Sequence, residues 1–170
     1  MSTRDKLLLA LERPAGGHVS GETLARRLGI TRAMVAMSGD LALGDPPPGR
    51  RGWKVEAAPA GPASPRLLEL ANAAVSTSGD SEQHLDAGGT RYSHIVDPAT
   101  HQALNAPIGV TVVARRGIEA DALATAVCVL GTERGIRLVE SHTGTAALVA
   151  AGRDPEIRFS ESSRWQRNAR

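Results

Sequence analysis

Residues 108–131 read IGVTVVARRGIEADALATAVCVLG, and this stretch decides the fold. The opening IGVTVVAR is rich in β-branched residues and is the clearest strand in the sequence. From Glu119 to Ile136 the spacing predicts a helix, with acidic residues in its first turn and Gly131 placed just past its last apolar residue. Beyond it, RLVESHT (137–143) is expected as a strand and TAALVAAG (145–152) as a short helix or strand. The last dozen residues are polar and basic and are expected to fray.

Working back toward the N-terminus, TRYSHIVDP (90–98) is expected as one strand ending at Pro98, preceded by SEQHL and a Gly88-Gly89 turn. RLLELANAAVSTSGD (66–80) is expected to begin as a short helical stretch, give way to the apolar run Ala73 to Val75 and stop at a Ser78-Gly79-Asp80 turn. LALG (41–44) and Trp53 to Glu56 are short strands on either side of the loop GDPPPGRRG, and AAPAGPASP is a linker. ITRAMVAM (30–37) suits a helix or a strand, and the Ser38-Gly39-Asp40 turn favours the strand because it leaves room for about two helical turns only. Ahead of it, DKLLLALE (5–12) and ETLARRLG (22–29) are helical, the second capped by Ser20 and closed by Gly29. Strands and helices interleave without a strict β-α-β rhythm. The fold class expected is therefore α+β, a mixed and mainly antiparallel sheet with packed helices, preceded by a small helical segment. Three regions follow: 1–34 helical, 35–152 the main domain, and 153–170 a polar basic tail.

Composition narrows the function classes. With 170 residues the chain is sized for one compact domain and a small appendage, not for a large multidomain enzyme. Two Trp, one Tyr and one Phe cannot build the aromatic platforms on which single-strand nucleic-acid binders stack bases. The single Cys128 excludes an internal disulfide and a Cys-rich zinc site. Lys and Arg number 20 against 18 Asp and Glu, an electrostatic footprint too weak to point to nucleic acid. The N-terminal apolar run is short, is flanked by acidic residues and lacks a small-residue cleavage site, so no signal peptide is expected, and no run reaches membrane-spanning length. As written, the chain reads as cytoplasmic.

Two constellations can carry chemistry. Asp121 and Thr125 stand at i and i+4 near the start of the predicted helix, so a carboxylate and a hydroxyl share one face, beside backbone amides expected to be free. Two hard oxygen ligands next to an anion site suit Mg²⁺ with substrate phosphates; the same pattern also suits an ordinary acidic first turn with a core-facing Thr. His94, near the end of the TRYSHIVDP strand, can take a proton from a hydroxyl nucleophile, or can be a half-buried, hydrogen-bonded residue. The two Ser-Gly-Asp turns place backbone amides and a short polar side chain at strand ends.

The collinear series SGDLALG, GWKV, STSGDSEQ, TRYSHIVDP, IGVTVVAR and ADALATAVCVLG resembles the C-terminal half of the FAD:protein FMN transferases, the ApbE-type flavin transferases, over residues 32–152. The resemblance implies transfer of the FMN half of FAD to a threonine hydroxyl of a target protein, with AMP leaving and Mg²⁺ holding the pyrophosphate. On that resemblance Asp121 and Thr125 match the metal-binding pair and His94 the residue that activates the acceptor, while Ser78 and Ile95 are candidate cofactor-binding positions. Family members are longer and often exported. A Lys-Gly-Tyr-like segment that contributes a metal contact in the family is not found, and Thr100-His101 stands where Thr-Gly is usual. Residues 1–34 resemble the N-terminal helix-turn-helix of biotin protein ligases, with Thr31 and Arg32 near the start of a recognition helix. This leaves an alternative, a DNA-binding or regulatory protein carrying a flavin-transferase remnant.

Overall fold

The computed structural model describes residues 34–37, 39–60, 65–81 and 83–167. The helices expected at 5–12 and 22–29, and with them the helix-turn-helix-like start, lie outside the described residues.

The strand predicted at IGVTVVAR is the centre of the molecule. Strand β10 (Ile108–Ala114) is buried along its whole length and is flanked by β5 (Ala73–Gly79) and β11 (Ala146–Ala151). Outside these lie β2 (Asp40–Leu43) and β1 (Met34–Met37) on one side and β12 (Arg158–Glu161) on the other, giving the order β1-β2-β5-β10-β11-β12. Three two-stranded sheets complete the set: β3 (Trp53–Ala57) with β4 (Arg66–Leu70), β6 (His84–Ala87) with β7 (Thr90–Ser93), and β8 (Val96–Asp97) with β9 (Gln102–Ala103). Every described pairing is antiparallel, in keeping with the α+β expectation.

Strand alternation sorts the core into two layers. On one face Val110, Val112 and Ala114 of β10 meet helix α1 (Gly117–Leu130), which buries Ala120, Leu123, Ala124, Val127 and Cys128 at the i, i+3, i+4 spacing of an amphipathic helix. On the opposite face Val113, Val75 and Leu148 pack with Val55 and Leu68 of the β3–β4 hairpin and with Trp165.

Four local expectations are corrected. RLLEL is strand β4, because Leu68 and Leu70 alternate inward against β3 while Leu67 and Glu69 face out. The TRYSHIVDP strand is broken by a bend at His94 into β7 and β8, since the Ile95 N–H donates to Ser93 Oγ and the His94 N–H to the Gln83 carbonyl, outside any ladder. RLVES belongs to a second helix, α2 (Thr132–Ser141): Gly131, at φ 75°, ends α1 and turns the chain, and Gly135 and Val139 then share the buried face of α2. The C-terminus is not frayed through Arg167, because β12 pairs with β11 and Trp165 is fully buried.

Arg164 explains how that terminal segment holds α2. Its guanidinium donates to the carbonyls of Val139 and Glu140 in the last turn of α2, of His142 just past it and of Thr145 ahead of β11, and pairs with Glu140 at 3.2 Å. The Ser163 N–H and hydroxyl donate to Glu140 as well and hold its carboxyl below the usual range. Arg164→Ala is expected to destabilise the fold by about 2 kcal/mol, the scale of hydrogen bonds from a charged donor, read as a lower urea midpoint at unchanged m value.

Candidate active site

The site is built where the C-terminal end of β5 meets α1. Ser76 and Ser78 face the helix side of the sheet, and Ser78 Oγ lies 3.1 Å from Thr125 Oγ1. One helical turn earlier, Asp121 stands exposed on the same helix side, so a carboxylate and two hydroxyl oxygens gather at one corner. The reading of this pair needs one correction. Helix α1 begins at Gly117, so Asp121 lies beyond the first turn, and the N–H groups of Glu119 and Ala120 are already bonded to the Arg116 carbonyl. Free helix amides therefore do not stand beside Asp121 and Thr125, and an anion held there depends on a cation or on other groups.

His94 is exposed on its bend, and its Nδ1 lies 3.1 Å from the Gln83 carbonyl oxygen. Its neighbour Ile95 points the other way: the side chain is buried in the core that also contains Leu123 and Val127 of α1. Ile95 also uses both backbone groups, donating to Ser93 Oγ and accepting from the Leu104 N–H at 2.9 Å. Ile95 thus anchors the bend against α1. After Asp97, the Ala99 N–H closes on Asp97 Oδ1 at 2.8 Å, and His101 adopts φ 58° in the left-handed region. A glycine takes up that conformation without steric cost, which accounts for the Thr-Gly pattern usual at this turn.

Two further residues to which the sequence reading gave no role make contacts here. Asp80, at the end of β5, pairs with Arg153 at 3.2 Å, and Gln83 supplies the carbonyl that meets His94. The first follows from the Ser-Gly-Asp motif once the strand end is known; the second is a backbone group without a residue-type signature. Cys128 lies underneath, with its thiol toward the Ser78 carbonyl at 3.5 Å. Burial, with the negative charge of Asp80 adding to it, pushes that thiol up to about 12, so it stays protonated and is no nucleophile at neutral pH. Among the described residues no group of three or more His, Cys, Asp and Glu side chains can enclose a metal ion. A cation at this corner would be a hard one, held by few protein oxygens and completed by a ligand.

Residues 20–149 match the ApbE family, and the chain belongs to that family. The match begins inside the segment 1–34. Among curated relatives, the FAD:protein FMN transferase of Vibrio cholerae serotype O1 is 34% identical over 98 residues, covering 57% of this chain and 29% of the relative. That of Rhodobacter capsulatus is 38% identical over 93 residues, covering 50% of this chain and 17% of the relative. The crystal structure of the flavinyl transferase ApbE from Pseudomonas stutzeri, in its apo form, superposes with a TM-score of 0.72 at 29% identity, over 87% of this chain and 47% of that one. The chain thus spans less than a third of these two curated relatives and about half of the solved one. Among the described residues no helix is long and apolar enough to cross a membrane.

Proposed function

We propose that this chain carries the metal-binding and proton-accepting part of a FAD:protein FMN transferase site, whose reaction is Mg²⁺-dependent transfer of FMN from FAD to a threonine hydroxyl of a target protein. The observation that supports it best is the meeting of Ser78 with Thr125, next to Asp121, in a chain of the ApbE family. Asp121 and Thr125 are hard oxygen donors of the kind Mg²⁺ takes through one or two protein ligands, and together with the phosphates of FAD they fit that ion. Bound there, Mg²⁺ would neutralise charge on the pyrophosphate as it is cleaved. Ser78, hydrogen-bonded to Thr125, orients that hydroxyl and adds a polar group at the strand end where the cofactor approaches. Ile95 contributes by position, holding the His94 bend against α1.

The step balances with one base. The acceptor threonine Oγ bonds to the phosphorus on the FMN side of the pyrophosphate, the bond from that phosphorus to the bridging oxygen breaks, and AMP leaves. The threonine proton passes to Nε2 of His94. The partners implied are FAD as substrate and a target protein bearing the acceptor threonine.

Calorimetric titration of FAD with and without Mg²⁺ tests the site before any turnover is needed. Asp121→Ala should weaken Mg²⁺-dependent FAD retention tenfold or more, about 1.4 kcal/mol. Retention that depends on Mg²⁺ equally in wild type and variant would remove Asp121 from the metal site.

A further inference from the structure

His94 presents two donor positions to a single acceptor. Its backbone N–H donates to the Gln83 carbonyl at 3.3 Å, and its Nδ1 lies 3.1 Å from the same oxygen. A carbonyl oxygen only accepts, so this geometry places the proton on Nδ1 and leaves the lone pair on Nε2. Which imidazole nitrogen is bare therefore depends on where the Gln83 carbonyl is held.

Gln83 follows closely on Asp80, just ahead of β6. The Asp80 side chain is only 16% exposed and is bound across the corner by Arg153, which lies 73 residues further along, just past β11. The β6–β7 hairpin is braced internally by Arg91, which donates to both carboxylate oxygens of Asp86 at 3.0 and 3.3 Å. We infer that Arg153 is a positioning residue: by holding Asp80 at the end of β5 it keeps the Gln83 carbonyl in place, so that this carbonyl holds the His94 proton on Nδ1 and leaves Nε2 as the proton acceptor. The catalytic consequence rests on the reading of His94 as the base; the tautomer does not.

Long-range proton–nitrogen correlation spectra of protein labelled in its histidines report the tautomer directly. At a pH of about 8.5, two units above the ordinary imidazole value, the His94 signals are assigned by their loss in His94→Gln. Wild type is expected to show the Nδ1–H form. In Arg153→Ala the balance should move toward the Nε2–H form by about fivefold, the population change that one ordinary hydrogen bond sustains. Arg153→Lys, which keeps the charge, should restore most of it, and the signal of His142, at the end of α2, should not move. Asp80→Asn preserves side-chain shape without the charge and should shift the tautomer in the same direction. An Nε2–H form in wild type, or an unmoved Nδ1–H form in Arg153→Ala or Asp80→Asn, would overturn the proposal. A tautomer shift in Arg153→Ala alongside full transfer by His94→Gln would sink the base reading of His94 and leave the positioning role standing.

Discussion

His94→Gln is expected to leave FAD retention unchanged while transfer to a threonine-bearing acceptor falls on the order of 10²- to 10⁴-fold, the span for one positioned general base. Binding and transfer should separate because His94 is exposed on its bend and is not among the residues proposed to hold Mg²⁺ and the pyrophosphate. Glutamine presents a hydrogen-bonding amide near the place of Nε2 but cannot carry a proton at neutral pH. The loss therefore falls on the step in which the acceptor hydroxyl gives up its proton. Transfer is read as flavin fluorescence retained by the acceptor after denaturing electrophoresis, with this chain alone and with the N-terminal half of the Vibrio cholerae relative supplied in trans. Wild-type rates in the variant would make His94 a bend residue whose Nδ1 only ties the chain to Gln83. Equal loss of binding and transfer would place it in the FAD pocket instead.

The parts of the fold that were legible in the sequence are those whose pattern is local. Strand β10 is a continuous apolar, β-branched run and α1 a long apolar helix, and Gly131 at φ 75° follows the last apolar residue of α1 and ends it short of the predicted Ile136. RLLEL and RLVES show why short apolar runs mislead. Both offer a few apolar residues beside charges, and what decides between strand and helix is the partner: β3 for the first, α1 for the second. Trp165 carries the same lesson, since a polar and basic segment around a lone aromatic gives no local sign that the aromatic fills the second core layer.

The candidate site divides along the same line. The i, i+4 spacing puts Asp121 and Thr125 on one face of α1, and the helix starts earlier than the sequence suggested, at Gly117, so Asp121 lies beyond its first turn. That Ser78 meets Thr125 across 47 residues follows from the packing of α1 on β5, both running antiparallel to β10, and has no signature in either segment. The bend at His94 was hidden because its stabilising acceptors, Ser93 Oγ and the Gln83 carbonyl, occur in any strand-like run. Asp80 and Arg153 stand 73 residues apart, so their pairing emerges only once β5 and β11 flank β10.

Gly109→Ala is expected to destabilise the fold by about 3 kcal/mol, at the upper end of the usual cost of overpacking, and to lower Tm by roughly 10 °C for a chain of this size. Gly109 lies on the central strand β10, opposite Gly79 of β5, and its missing side chain leaves room for the Pro59 backbone to cross the sheet. A Cβ there would overlap the Pro59 carbonyl oxygen, which belongs to main chain and cannot swing aside as a flexible side chain would. Relief requires moving either the connection after β3 or β10 itself, and β10 is buried throughout. Gly117→Ala is the control: a Cβ there meets nothing within 4 Å, so its midpoint should stay close to that of wild type. The same displacement should reach the site, because Gly79 adjoins Ser78 and Asp80, the residues that contact Thr125 and Arg153. FAD retention measured well below the lowered Tm should therefore fall in Gly109→Ala and not in Gly117→Ala. A wild-type Tm in Gly109→Ala would mean that the Pro59 segment yields freely and exerts no hold on the strand ends that carry the site.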